Sequence, residues 1–156
     1  IKFMRTTTCA ALLLSYLAMT GCASVPMEGM EETSIVKKFN PPVEGNSGLY
    51  IYRNSFVGQA LKKDVWVDGK CIGETAPDVF FYEEVEGDKF HTISTESEFS
   101  PNELIVKVKS GIHYFIRQYI KMGMFVGGAA LELVDEEKGK KEVSELDMAT
   151  KGTCSK

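Results

Sequence analysis

This sequence holds few of the residues that announce a chemistry. There are two histidines, one tryptophan and four cysteines among 156 residues. Neither His91 nor His113 is flanked by a third ligand of suitable type, so no metal site and no cofactor are expected. No G-x-S-x-G turn is present to expose a nucleophile. No glycine-rich loop ends in Lys-Ser or Lys-Thr, and Gly123, Gly127 and Gly128 join two strands, the wrong setting for a phosphate cradle. Glu83, Glu84 and Glu86 alternate along a strand and read as a solvated edge rather than an acid/base pair. No catalytic set is assigned, and the chain is read as a non-enzyme. Basic clusters are missing too. The net charge is −4 at pH 7, which argues against nucleic acid and against attraction to an anionic membrane surface. No apolar run reaches the roughly 20 residues needed to cross a bilayer.

What is present begins with a short leader. Arg5, with Lys2, supplies positive charge, with Met4 the natural start, and Cys9 to Met19 is an apolar run that ends at Met19-Thr20-Gly21-Cys22. This is the layout of a bacterial lipoprotein signal, cleaved before a cysteine that carries the lipid (palmitate among its acyl groups). An ordinary apolar helix, or a signal cut after small residues, explains the run less well, because Gly21-Cys22 follows it at once. Met19 stands where leucine is usual. Ala23 replaces the aspartate that marks inner-membrane retention in Gram-negative bacteria. The expected location is therefore the outer membrane, lipid-anchored and facing the periplasm. The expected partners are the membrane, through Cys22, and an envelope protein.

Removing residues 1–21 of 156 leaves 135, one domain's worth. Loss of Lys2 and Arg5 lowers the basic count from 18 to 16 against 22 acids, a net charge near −6. Cys9 leaves with the leader and Cys22 is assigned to lipid, so Cys71 and Cys154 remain. In an oxidising compartment such a pair is expected to be bridged, the alternative being two unrelated thiols.

Residues 22–47 read as a flexible tether, with Asn40-Pro41-Pro42 extended and a weak helix near Ile35–Phe39. The domain proper is placed at 48–150, with 151–156 as a tail. Its signals are almost all strand signals. Dense or alternating apolar runs fall at 49–53, 64–67, 70–73, 78–83, 89–95, 103–109, 112–120 and 130–134, with a hairpin turn at Asp68-Gly69. Closely spaced short strands separated by turn residues predict an all-β fold, an antiparallel β-sandwich of about 7–8 strands. Asp135 to Thr150 reads as a C-terminal helix, N-capped by Asp135 and interrupted at Gly139.

The run Val65-Trp66-Val67-Asp68-Gly69-Lys70-Cys71-Ile72-Gly73, followed by Gly87 and His91-Thr92-Ile93, resembles small Ig-like periplasmic modules of the PEGA type. The stretch from Gly48 to about Ala149 is similar to a family of predicted bacterial lipoproteins known as a domain of unknown function. Its Gly48–Arg53, Phe56-Val57-Gly58, Arg117-Gln118, Met122-Gly123, Phe125-Val126-Gly127 and Glu132-Leu133-Val134 segments carry that likeness. The resemblance implies a fold and a location and no activity.

One internal echo stands out. Phe56-Val57-Gly58 and Phe125-Val126-Gly127 each lie in a connection between strands, in loops 55–62 and 121–130. Strand polarity puts both at one end, expected to be distal to the lipid, as a contact surface. The bland alternative is that both phenylalanines fold back onto the core. Arg53 and Arg117 lead into these loops and are expected to be neighbours. A small-ligand or enzyme site lined by His91, His113, Arg53 or Arg117 is the alternative functional reading.

Overall fold

The computed structural model describes residues 21–156. The leader, apart from Gly21, lies outside the described residues. The elements in order are α1 (Met30–Val36), β1 (Asn46–Arg53), β2 (Lys63–Val67), β3 (Lys70–Thr75), β4 (Val79–Glu86), β5 (Lys89–Thr95), β6 (Asn102–Val108), β7 (His113–Met122), β8 (Gly127–Val134), α2 (Glu136–Ser144) and β9 (Asp147–Met148). The turn expected between β2 and β3 forms because Asp68 and Gly69 both take positive φ, 49° and 77°, which matches the twist of the strands they join.

The fold is the expected all-β sandwich. One sheet has the order β8-β7-β1-β4-β9 and the other β3-β2-β5-β6. Pairing is antiparallel except at two places: β1 runs parallel to β7, and β4 parallel to β9. Leu49, Ile51, Val65, Ile72, Phe81, Ile93, Val108 and Ile116 fill the space between the sheets. Truncating one of these to alanine costs about 2–5 kcal/mol. The opposite face of the five-stranded sheet is also covered. Tyr50, Tyr52, Phe80 and Phe115 pack there against Val36, Phe39, Val143 and Leu146. This third layer explains why seven consecutive residues of β1, Ser47 to Arg53, are buried with no alternation.

Asp135 caps α2 as expected, its side chain accepting from the Lys138 N–H at 2.9 Å. The helix is shorter than expected. It ends at Ser144, and Leu146, in the turn before β9, and Ala149, bridged to Met27 just after it, are buried without sharing a helical face. Gly139 does not interrupt α2. A Cβ there would collide with the Phe115 ring, so the glycine is what lets the helix lie flat on the sheet.

Residues 22–47, expected as a free tether, are fastened to the domain. Ala23 N donates to Gln59 O at 2.7 Å, Glu28 N to Met148 O at 2.9 Å, and Thr150 N to Pro26 O at 2.9 Å. Met27 bridges Ala149, and Val25 packs against the inter-sheet core. The Tyr50 hydroxyl donates to Val36 O at 3.0 Å, holding α1 down. The segment thus runs the length of the sandwich before β1 begins. The C-terminal tail is fastened as well. Cys154 is bridged to Cys71, as cysteine counting predicts, with Cα atoms 6.1 Å apart. Ser155 N, Ser155 Oγ and Lys156 N all donate to the buried Asp64 carboxylate at 2.9–3.1 Å.

Candidate functional site

Three connections meet at the end of the sandwich where β1 finishes: 54–62, 96–101 and 123–126. Arg53 shapes the first. Its side chain is fully buried, with Nη1 donating to Leu61 O at 2.6 Å and Nη2 to Gly58 O at 2.7 Å. Burial lowers its pKa, partly offset by the charge of Asp78. The guanidinium is therefore an internal pin for loop 54–62, not an anion receptor. The third connection is held from the side. The Glu98 carboxylate accepts from Met124 N at 2.6 Å and Phe125 N at 2.5 Å, and Gly123 N donates to Val126 O at 3.0 Å. Loop 54–62 packs against the ends of the strands that carry this connection: a Cβ built on Gly58 would sit 2.9 Å from Ile120 in β7, and one on Gly127 in β8 2.7 Å from Leu61.

With their backbones held this way, the loops turn apolar side chains outward. Phe56 is 73% exposed and Phe125 78%, so neither folds back onto the core. Val57, Phe99, Met124 and Val126 are exposed beside them. Scattered single apolar residues are normal on a surface, but a cluster on three adjoining loops is not.

The expected orientation of this end is reversed. Cys22 Sγ lies 3.4 Å from Gln59 Oε1, and Ala23 is bonded to the Gln59 backbone. Strand polarity alone put the loops far from Cys22. The preceding segment runs back along the sandwich, so residue 22 ends up beside loop 54–62.

Beneath the loops lies a polar seam with no local sequence signature. Gln118 Nε2 donates to Thr95 Oγ1 at 2.7 Å, Thr75 Oγ1 donates to Gln118 Oε1, and Thr95 Oγ1 donates to Asp64 O at 2.8 Å. Asp64 N donates to Glu96 Oε1 at 2.7 Å. Each partner serves another, so the seam ties the two sheets together rather than offering free groups.

The remaining candidates are dispersed. Arg53 and Arg117 lie on adjacent strands, but their side chains take opposite faces of the sheet. Arg117 pairs across from Tyr52, so it shares the helix-covered face, whereas Arg53 points between the sheets. Arg117 Nε and Nη2 donate to Glu132 Oε1 at 2.6 and 2.5 Å. His91 and His113 lie on different sheets. His91 Nδ1 meets Asp68 Oδ2 at 2.6 Å and its Nε2 donates to Glu86 O at 2.7 Å. His113 sits edge-on to Tyr50 and Tyr82, with its Nε2 buried and unpartnered. A groove of about 450 Å³ lies under loop 96–101, lined by Trp66, Glu96, Glu98, Phe99, Glu103 and Lys156 among others. None of the four dispersed candidates lines it.

The two histidines have opposite effects on stability. Burial disfavours the charged form of His91, but its bonds to Asp68 and the Glu86 carbonyl outweigh that and raise its pKa. Burial, then the nearby Lys140 charge, lowers that of His113. A raised folded-state pKa contributes stability fully below about pH 6.5, lost as pH rises through the folded value. A lowered one removes stability as pH falls through about 6.5 toward the folded value. Replacing His113 with phenylalanine is thus expected to make stability rise on acidification from pH 8 to 6, and His91→Gln to make it fall more steeply. Urea midpoints across that range test this, and parallel profiles for the two variants would refute it.

Comparison with known proteins places this arrangement in company that is itself without an assigned activity. The model of a family described as "Protein of unknown function (DUF2846)" matches residues 43–129, which include all three loops. An uncharacterized protein of Haemophilus influenzae is 56% identical over 140 residues, covering 90% of this chain and 83% of that protein. No solved structure matches.

Proposed function

The chain belongs to the DUF2846 family of proteins of unknown function, and on that premise we propose that it is a lipid-anchored cell-envelope protein that acts by contact rather than by catalysis. The observation that carries this reading is the exposure of Phe56 and Phe125 on adjoining loops whose backbones are rigidly held. Support for the anchor comes from Met19-Thr20-Gly21-Cys22, from the exposed free thiol of Cys22, and from a disulfide suited to the periplasm. The PEGA-like hairpin at Asp68-Gly69 favours the same compartment, and Ala23 favours the outer membrane.

The anchor is tested by expressing the full chain in a Gram-negative host. Wild type is expected in the outer-membrane fraction with an acylated Cys22, and Cys22→Ser in the soluble fraction. Wild type recovered in the soluble fraction with an unmodified Cys22 would overturn the reading.

A further inference from the structure

We propose that the apolar loop end is a bilayer-docking surface: Phe56, Val57, Phe99, Met124, Phe125 and Val126 insert into the interfacial region of the same membrane that holds the acyl chains on Cys22. This rests on the anchor proposed above and names the occupant of the contact surface. The argument is one of reach. Ala23 N donates to Gln59 O, inside the first of the three loops, a backbone bond that acylation of the Cys22 sulfur leaves in place. From there to Met27 the chain has no slack, because Thr150 N donates to Pro26 O and Glu28 N to Met148 O. Lipid on residue 22 therefore brings the bilayer against these loops and not against the opposite end near Ile112.

The charge pattern fits that occupant. Residues 54–61 and 122–128 contain no ionisable side chain. Exposed Lys62 and Lys121 stand just behind them, where long side chains reach the headgroups while the tips go deeper. Two of the acids at this end are engaged, Glu98 by Met124 N and Phe125 N and Glu96 by Asp64 N and Lys156 Nζ, while Asp78 and Glu103 are exposed there. With the chain acidic overall, docking is driven by apolar burial, so added salt is expected to leave it unchanged. Held loop backbones also mean that little conformational freedom is lost on insertion.

The test uses the full chain purified from membranes and reconstituted into phosphatidylcholine/phosphatidylethanolamine vesicles containing brominated lipid. In a Trp66→Phe background, a single tryptophan is placed at 56, at 125 or at 112. Quenching at 56 and 125 with none at 112 is expected. An acylated Cys22, read by mass spectrometry on the same sample, together with no quenching at 56 or 125, overturns docking and leaves the anchor standing. Crosslinking from these positions to a protein without quenching also overturns it. If Cys22 is unmodified, the anchor fails, and vesicle sedimentation of that chain decides docking separately. Binding that weakens about tenfold for each of Phe56→Ser and Phe125→Ser supports it, and no binding by the unsubstituted chain refutes it.

Discussion

Arg53→Met is expected to destabilise the domain by about 2–4 kcal/mol and to free loop 54–62, although the hydrogen bonds lost run to backbone carbonyls and not to a carboxylate. Exchanging a buried charge for an apolar group is often neutral when both members of an ion pair leave together. Here the acceptors are the backbone carbonyls of Gly58 and Leu61, which stay behind when the guanidinium goes. Methionine fills the volume and removes the desolvation cost, but it leaves Leu61 O without a donor and Gly58 O with only the Leu61 N–H. Arg53→Lys is expected to rescue little, since one ammonium cannot reproduce the two-pronged geometry that spans Gly58 O and Leu61 O. Urea unfolding gives the energy, and limited proteolysis between 54 and 62 reports loop release. A methionine variant with the wild-type midpoint and an uncut loop would show that the pin is dispensable.

The second large effect belongs to the disulfide. Cys71 and Cys154 are separated by 83 positions, and closing a loop of that size restricts the unfolded chain by about 4 kcal/mol in the entropy model. Cys154→Ser therefore lowers Tm by roughly 10–20 °C for a domain of this size. A second consequence follows from the neighbouring residues. Asp64 is fully buried and takes its donors from Ser155 and Lys156, next to the bridge. A tail that frays after Cys154 is replaced leaves that carboxylate with fewer partners. The loss from Cys154→Ser and the loss from deleting 155–156 are then expected to be non-additive. Thermal melts of wild type with and without reductant, beside the two variants, measure both parts. An unchanged Tm under reductant would show that the bridge contributes nothing.

Much of the sandwich was legible in the residues. Leu104, Val106 and Val108 alternate with Lys107 and Lys109, Asp68-Gly69 makes its turn, and Asp135 caps its helix, because each of these signals is local. Cysteine counting paired Cys71 with Cys154 for a reason that needs no geometry. What stayed hidden depends on long-range placement. The unbroken burial of Ser47–Arg53 records a sheet covered on both faces, yet the covering comes from α1 and α2, and no local pattern says where a helix docks. Residues 22–47 are largely polar and carry three prolines, Pro26, Pro41 and Pro42, which suits a tether equally well. Long-range contacts such as the bridge at Met27, the bond at Pro26 and the packing of Val36 and Phe39 make them part of the domain. The position of Cys22 beside Gln59 follows from that docking, so the orientation inferred from strand polarity was reversed. The outward-facing loops were visible as an echo in sequence. Their support by Arg53 and Glu98 was not, because a side-chain bond to a backbone group leaves no trace in spacing.

The parallel pair β1–β7 also sets an order in time. Gly48 aligns with His113, and Tyr52 with Arg117, so the centre of the main sheet joins segments 65 positions apart. A chain made from its N-terminus has Leu49–Tyr52 in hand long before the strand that covers that edge exists. Until His113–Met122 arrives, β1 has only β4 beside it and presents an unpaired, strongly apolar edge. Non-local pairing of this kind slows assembly to the millisecond-to-second range typical of β-sandwiches, roughly a thousandfold slower than helical bundles. The interval before β7 pairs is therefore when the chain is most exposed to self-association.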